Sequence, residues 1–205
     1  MVELRHLFKL VSVTIFLFSS LLLSFQAMSY EEPKYTIIKE TDVYEVRYYA
    51  ERTVAQLNYG EEDNAFRTLF KYISGENKAS KEVKMTIPVT QSVKIQMTVP
   101  VTQAKSDGNM VMQFFLPEEY SKKSAPKPTN QRIQIIDLPQ THFAVISYSG
   151  FASNSNFEKH HSKLKSALDN DGFNIIGPPI KATYNSPFTL PFLRRNEAMF
   201  AIKWE

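Results

Sequence analysis

Residues 43–74 have the sequence VYEVRYYAERTVAQLNYGEEDNAFRTLFKYIS, in which the spacing of the apolar residues changes midway. The segments 43–49 and 52–57 are rich in β-branched and aromatic residues, which predicts two strands. Further on, apolar residues recur at i, i+3, i+4 and i+7, namely at Phe66, Leu69, Phe70 and Ile73. This spacing gives one apolar stripe and predicts a helix over about residues 61–74. The stretch therefore predicts strands followed by a helix that packs on them.

The same order of elements recurs in the second half of the chain. Strands are predicted at 132–138 and 142–149, and a second helix follows, with Ser155 as its N-cap and Glu158 completing a capping box. Strands at 173–176, 180–184 and 197–204 end the chain, as strand 110–116 ends the first half. The fold class predicted is α+β: a distorted β-barrel of two pseudo-symmetric strand-helix-strand halves with two flanking helices.

A doubled motif lies between the predicted helix and strand 110–116. The segment KMTIPVTQ at 84–91 returns twelve residues later as QMTVPVTQ at 96–103. Each copy favours a strand, but its proline has no N–H to donate to a sheet ladder. We therefore expect two bulged or edge strands, with Met85 and Met97 filling gaps in the core.

The composition excludes several classes of function. The chain has 205 residues, 24 Lys+Arg against 21 Asp+Glu, a formal net charge of +3 and no cysteine. Without cysteine there is no disulfide scaffold, thiolate metal site or cysteine nucleophile. A net charge this small, without a clustered basic face, does not indicate a nucleic-acid-binding protein. No metal site is predicted.

The first 29 residues have the features of a targeting segment. Arg5, His6 and Lys9 precede an uncharged run that begins at Leu10, and small residues at 27 and 29 suit cleavage after Ser29. The alternative is an uncleaved anchor, because the uncharged residues 10–30 are about long enough to span a bilayer. We expect residues 30–205 to form a single ligand-binding domain that is extracytoplasmic, either periplasmic or secreted. Its contact with a membrane is then limited to residues 10–29, if these are retained.

Four motifs in order carry a resemblance to a known family. They are the helix AFRTLFKYISGEN at 65–77, the doubled Met-Thr-x-Pro-Val, Phe114-Phe115-Leu116-Pro117, and Ala182-x-Tyr184-x-x-Pro187 leading to Arg194-Arg195-Asn196-Glu197. Over residues 34–205 the chain resembles the SOUL haem-binding protein family. The resemblance implies a distorted β-barrel with two helices, similar to the effector-binding domains of multidrug-sensing regulators. It also implies carriage, buffering or sensing of haem or another tetrapyrrole, with no bond made or broken.

A haem site needs an apolar wall and cationic partners for two propionates. The candidates for the wall lie on the first helix, with Tyr72 expected to be half-exposed at the margin of its stripe; they are Phe66, Leu69, Phe70, Tyr72 and Ile73. The candidates for the propionates are Lys71, Arg194 and Arg195, because arginine makes forked contacts with carboxylates. The stripe also fits a plain core face, and the arginines fit a pairing with Glu197 or exposure to solvent.

The iron ligand is less well defined by the sequence. His160 and His161 flank the apolar stripe of the second helix and are the histidine candidates, whereas His142 starts a strand and fits a structural role. Met85, Met97 and Met199 are weaker candidates, since methionine in a core is commonly a gap-filler. The expectation is therefore haem held by apolar contact, with weak or absent axial ligation.

Two other classes of function remain open. Glu197, with Arg195 and with Tyr184 or Tyr72, fits a pocket that binds a cationic or hydrophobic small molecule or hydrolyses it, provided that the carboxyl group is buried. An ion pair that holds the last strand is the competing interpretation. The proline- and lysine-containing segment 121–129 fits a docking loop for a partner, although a solvated loop explains it as well.

Overall fold

The computed structural model describes residues 30–60, 64–79, 92–106 and 108–204. Three of the sequence predictions lie outside these residues. They are the targeting segment at 1–29, the start of the first helix at 61–63 and the first copy of the repeated motif at 84–91. From Glu31 onward the chain forms one unit.

Most of the described chain belongs to a sheet and two helices. The helices are α1 (Ala65–Ile73) and α2 (Asn154–Asn170), and a 3₁₀ turn covers Pro191–Leu193. The strands are β1 (Tyr35–Glu40), β2 (Glu45–Tyr49), β3 (Arg52–Tyr59), β4 (Asn77–Lys78), β5 (Val101–Ser106), β6 (Asn109–Phe115), β7 (Lys127–Pro128), β8 (Ile133–Leu138), β9 (Thr141–Tyr148), β10 (Ile180–Thr183) and β11 (Asn196–Ile202).

The main sheet has nine strands in the order β1-β2-β9-β11-β10-β5-β6-β3-β8, and β4 pairs separately with β7. All of its pairings are antiparallel. The domain contains two similar series of strands and helices: β2, β3, α1, β5 and β6 in the first half, and β8, β9, α2, β10 and β11 in the second. The first strand of each series pairs with the other series, β2 with β9 and β8 with β3.

Both helices pack on one face of this sheet. Paired residues across an antiparallel sheet project to the same face, and the registers align Ala198 with Lys181, Gln103, Met112 and Leu57 in turn. Met112 and Leu57 belong to the cluster under α1, and Ala198 to the cluster under α2. A third cluster contains no helical residue and occupies the opposite face. We call that opposite side the helix-free face.

The predicted fold class is confirmed: an α+β half-barrel of nine antiparallel strands with two helices. The expectation of a bulged or edge strand for the second motif copy is wrong, because β5 pairs in regular register with both of its neighbours. β5 lies between β10 and β6, inside the sheet. Pro100, preceded by a cis peptide bond, stands immediately before β5. Its missing N–H therefore removes no bond from the ladder.

Two other local predictions are also wrong. The N-cap of α2 is Ser153, whose side chain accepts from the Asn156 backbone N–H at 3.2 Å, and not Ser155. The segment 173–176 is not a strand, because only an isolated bridge joins Ile175 to Ile202. Among the described residues, no helix is long and apolar enough to cross a membrane.

Candidate functional site

Helix α1 begins and ends for local reasons. The Asn64 side chain accepts from the Arg67 N–H at 3.0 Å and caps the first turn. After Ser74 the chain leaves the helix through Gly75, whose φ of +120° suits glycine. Leu69 and Ile73 enter the core, while part of the apolar stripe stays outside.

The part that stays outside is a pair of phenylalanines. Phe66 and Phe70 are 44% and 45% exposed, and their rings stack with centroids 6.1 Å apart and planes 11° from parallel. Behind them, Phe66 meets Phe114 of β6 edge-on at 5.3 Å. We call Phe66 and Phe70 the phenylalanine platform. Two nearly parallel exposed rings offer a flat apolar ligand a surface to stack on.

Two cations of the same helix stand beside this platform. Arg67 and Lys71 are exposed, each one residue beyond a platform phenylalanine. The Lys71 ammonium lies 3.1 Å from the Glu76 carboxylate in a pair that is about half exposed. Exposed pairs of this kind contribute little free energy, so a ligand carboxylate can replace Glu76 at low cost. The sequence analysis selected Lys71 but missed Arg67, which follows Phe66 directly.

The expectation that Tyr72 is half-exposed is wrong. Tyr72 is 1% exposed, and its hydroxyl donates to the Pro126 carbonyl at 2.8 Å. Burial raises the pKa of this phenol well above its ordinary value of 10.0. Tyr72 therefore holds the 117–130 segment against α1 and does not face a groove.

The three described histidines all lie in the other half of the molecule. His160 stacks on Tyr148 with centroids 4.1 Å apart, and its Nδ1 is 2.7 Å from the Asn156 carbonyl. His161 packs between Phe157 and Phe200, and its Nδ1 is buried with no hydrogen-bond partner in the described structure. His142 contacts Tyr48 and stacks on Trp204.

These histidines do not converge with the phenylalanine platform. Helix α1 packs on β3 and β6, whereas α2 packs on β9 and β11. Strands β10 and β5 separate β11 from β6, and three strand spacings amount to about 14 Å. No group of three or more His, Asp or Glu within the described ranges is arranged to hold a metal ion. If haem binds at the platform, none of these histidines is placed to ligate its iron.

Arg194 and Arg195 have separate structural partners. Arg194 donates from Nε to the Thr189 carbonyl at 2.7 Å and from Nη2 to the Pro187 carbonyl at 2.6 Å. Arg195 donates to the Glu197 and Glu32 carboxylates at 2.9 Å and 3.0 Å. Both guanidinium groups are therefore engaged within the protein, and neither belongs to helix α1.

Glu197 lies at the centre of the helix-free face and is fully buried. Its carboxylate accepts from Arg47 Nη1 at 3.1 Å, from Arg195 Nη2 at 2.9 Å and from the Tyr184 hydroxyl at 2.6 Å, with Ser147 Oγ at 3.2 Å. The two guanidinium groups compensate its charge and the donors occupy both oxygens. The arrangement matches the ion-pair interpretation of Glu197, and the carboxylate has no position left for a ligand cation or a substrate proton.

The pKa values of the groups around Glu197 reflect this charge. Burial is the largest single effect on the pKa of Arg47 and lowers it, but Glu197, Tyr49 and Glu45 together outweigh burial and raise the pKa. The same balance raises the pKa of Arg195. Burial, and then the neighbouring carboxylate, raise the pKa of Tyr184 far above 10.0. These shifts keep both arginines charged and the phenol protonated at neutral pH.

Arg52 is a partly buried group that the sequence analysis missed. Its guanidinium lies 4.4 Å from the Tyr49 ring centroid and 5.5 Å from that of Phe115. Within the described part of the chain, its Nε has no hydrogen-bond partner. Burial lowers the pKa of Arg52 to about 10. Arg52 also lines a cavity of about 150 Å³ beside the Glu31–Lys34 segment.

Solved structures with the same architecture define the class of protein. The C-terminal domain of EcmrR has a TM-score of 0.56 at 10% identity, with coverage of 83% of this chain and 99% of that domain. A hydrolase from Listeria innocua has a TM-score of 0.53 at 8% identity, covering 81% of this chain and 94% of that one. The fold is thus the α+β half-barrel of effector-binding and SOUL-like proteins.

Sequence comparison identifies the family. The family described as "SOUL heme-binding protein" matches residues 30–201, and the chain belongs to it. Heme-binding protein 1 of Xenopus tropicalis is 27% identical over 132 residues, and that of Xenopus laevis is 29% identical over 135 residues. In each case the match covers 64% of this chain and 66% of the relative. The chain therefore matches just under two thirds of the length of these curated relatives.

Proposed function

We propose that this protein binds haem or a closely related tetrapyrrole on the outer surface of helix α1, and that it carries, buffers or senses this ligand without catalysis. The phenylalanine platform is the observation that carries the proposal. Phe66 and Phe70 are two stacked aromatic rings that the fold leaves nearly half exposed. Membership of the SOUL family and the similarity to heme-binding protein 1 support the class of ligand.

The platform supplies a moderate amount of binding free energy. Each platform phenylalanine exposes just under half of its surface, or about 90 Å² of the roughly 200 Å² of such a side chain. Covering both rings at about 25 cal/mol per Å² gives about 4 kcal/mol from the protein side. Because association itself costs several kcal/mol, contacts with the ligand's charged groups are also required for useful affinity.

Arg67 and Lys71 are placed to make those contacts. A tetrapyrrole stacked on Phe66 and Phe70 would direct its propionates toward the polar margin of α1, where both cations are exposed. Arginine offers a propionate a forked pair of N–H donors, and lysine offers a point charge.

Haem, when bound, would supply a redox-active iron. The residues of this chain would only position the ring and pair with its carboxylates. The described histidines belong to the α2 half, so they are not suited to ligate an iron held at the platform. We therefore expect a spectrum without the features of bis-histidine coordination.

We also propose that the protein acts outside the cytoplasm. The support is the sequence of the first 29 residues: a basic start, an uncharged run and small residues before position 30. N-terminal sequencing of the protein purified from its native cells tests this point. A mature chain beginning at Tyr30 supports cleavage, a longer chain in the membrane fraction supports the anchor, and a full-length chain in the cytosol overturns the proposal.

A haem titration followed at the Soret band tests the ligand and its place. The wild-type chain should saturate at one equivalent, and the double variant Phe66→Ser/Phe70→Ser should lose at least about tenfold in affinity, since the platform supplies most of the apolar contact. Ile176→Ser is the matched control, because Ile176 is also exposed and apolar but lies away from α1. His160→Ala/His161→Ala should bind haem like the wild type.

Other results would contradict the proposal in different ways. Saturable binding that the platform variant does not weaken would place the tetrapyrrole elsewhere on the protein. Binding that never saturates would remove the ligand class itself. We do not propose the hydrolase or cation-binding alternative as a second function, because Glu197 is saturated by its own arginines and Tyr184.

A further inference from the structure

Large apolar side chains protrude from two adjacent loops near the end of β10. Phe188 is 94% exposed and Phe192 is 70% exposed, and three others are more than half exposed. We call the whole set the apolar tip: Phe151, Phe188, Leu190, Phe192 and Leu193. Apolar residues scattered singly on a surface are ordinary, but five on neighbouring loops need an explanation.

Hydrogen bonds hold the two loops in this conformation. The Gly150 N–H donates to the Pro191 carbonyl at 2.8 Å and joins one loop to the other. The Arg194 side chain donates to the carbonyls of Thr189 and Pro187, so it closes the 187–194 loop from within. These bonds satisfy the loop backbone while its apolar side chains point away from the core. The exposure therefore belongs to an ordered loop structure.

The charges around the apolar tip are unbalanced. Residues 138–157 and 172–196, which contain both loops, include no aspartate or glutamate. Arg194 stands at the base of the tip, with its guanidinium 5.4 Å from the centroid of the Phe151 ring. Aromatic and leucine side chains with an adjacent arginine are typical of segments that enter the interface of a bilayer.

The course of the chain places the start of the domain at the base of the same tip. Glu32 pairs with Arg195 at 3.0 Å, and Arg195 is only two residues beyond Leu193. The uncharged run of the sequence ends at Tyr30, two residues before Glu32. Glu32 thus brings the first residues of the domain to the loop that carries Phe188 and Leu193.

We propose that the apolar tip docks on a lipid bilayer, with its phenylalanine and leucine side chains entering the interfacial region. Arg194 faces the headgroups beside them. Docking at the tip fixes which side of the domain faces the membrane.

Quenching of a single tryptophan by brominated lipid tests the proposal in the full-length chain. Phe188→Trp, in a Trp204→Phe background, places the reporter at the tip. Ile176→Trp in the same background is the matched control, because both positions are exposed. The chain is reconstituted with vesicles of phosphatidylcholine containing a minor fraction of phosphatidylglycerol, brominated on the acyl chains. We expect quenching at position 188 to exceed that at 176 by about threefold or more.

Three results would overturn the proposal. Equal quenching at both positions would show that the domain has no preferred orientation, and no quenching at 188 in vesicle-bound protein would show that the tip stays in water. A blue-shifted emission from the tryptophan at position 188 that depends on protein concentration and not on lipid would make a second copy of the chain the occupant. As a second measurement, Phe192→Glu added to the Phe188→Trp chain should abolish the quenching while the far-UV spectrum stays unchanged.

Discussion

Replacing Glu197 with glutamine should destabilise the protein strongly, although the two side chains have nearly the same shape. The carboxylate lies between Arg47 and Arg195, and its two oxygens accept from both of them and from Tyr184. An amide has one acceptor oxygen only, and its NH₂ group would face N–H or O–H donors in place of an acceptor. Removing one partner of a buried ion pair costs about 3–5 kcal/mol. Since Glu45 and Glu32 continue to pair with the arginines, we expect the low end, about 3 kcal/mol.

Urea unfolding followed by circular dichroism measures this loss. With a slope of about 2 kcal/mol per molar urea, the midpoint should fall by about 1.5 M. Glu45→Gln is the matched control, because Glu45 pairs with the same Arg47 at 2.7 Å but its side chain is 30% exposed. It should lose less than about 1 kcal/mol. Equal losses in the two variants, or a Glu197→Gln loss below that figure, would refute the assignment of Glu197 as the charge that holds the sheet together.

Three further predictions concern single groups. Arg52→Met should raise the free energy of unfolding, measured in urea, by about 1 kcal/mol. The lowering of the Arg52 pKa from 12.5 to about 10 corresponds to a cost of roughly 3 kcal/mol for keeping the charge in the folded protein. The cation–π contacts offset about 2 kcal/mol of this cost. A loss of stability would mean that Arg52 has a partner in solution. Ser153→Ala should lower the stability by about 1 kcal/mol and Ser155→Ala by almost nothing, because only Ser153 caps α2; equal losses would contradict this. Finally, the raised pKa of Tyr184 means that the folded phenol keeps its proton where the unfolded one loses it. The stabilisation that the protonated Tyr184 phenol gives to the fold is therefore complete below pH 10 and is lost as the pH rises further. The melting temperature of Tyr184→Phe should fall less steeply above pH 10 than that of the wild type, and parallel curves would count against the shift.

Much of the fold could be predicted from local sequence because the determinants of each element lie close together. The apolar spacing of α1 and the β-branched and aromatic residues of β3 and β9 each involve fewer than ten residues, so the sequence displays them directly. The predicted N-cap of α2 was wrong because Ser153 and Ser155 are equally suitable caps when only the local sequence is considered. The tertiary contacts of Asn156, which donates to the Ser149 and Phe151 carbonyls, favour the earlier start.

The candidate site was less predictable because its properties depend on distant residues. Arg47 and Glu197 are 150 positions apart, so no motif could show their contact. Phe66 and Phe70 have the spacing of core residues, and nothing in the local sequence separates them from Leu69 and Ile73, which are buried. The wrong prediction for Tyr72 has the same reason: its burial depends on the segment around Pro126, which is distant in the sequence.

The first strand of each half pairs with the other half, and this pairing affects when the chain can fold during its synthesis. β2, at residues 45–49, pairs with its sequence neighbour β1 but is joined to the rest of the sheet only through β9, at residues 141–148. β11, at residues 196–202, joins β9 to β10 near the middle of the sheet and is the last strand in chain order. A chain emerging from the ribosome therefore cannot complete either half on its own. We therefore expect the sheet to be completed only once β11 has been synthesised, so that the last step of folding follows translation of the domain.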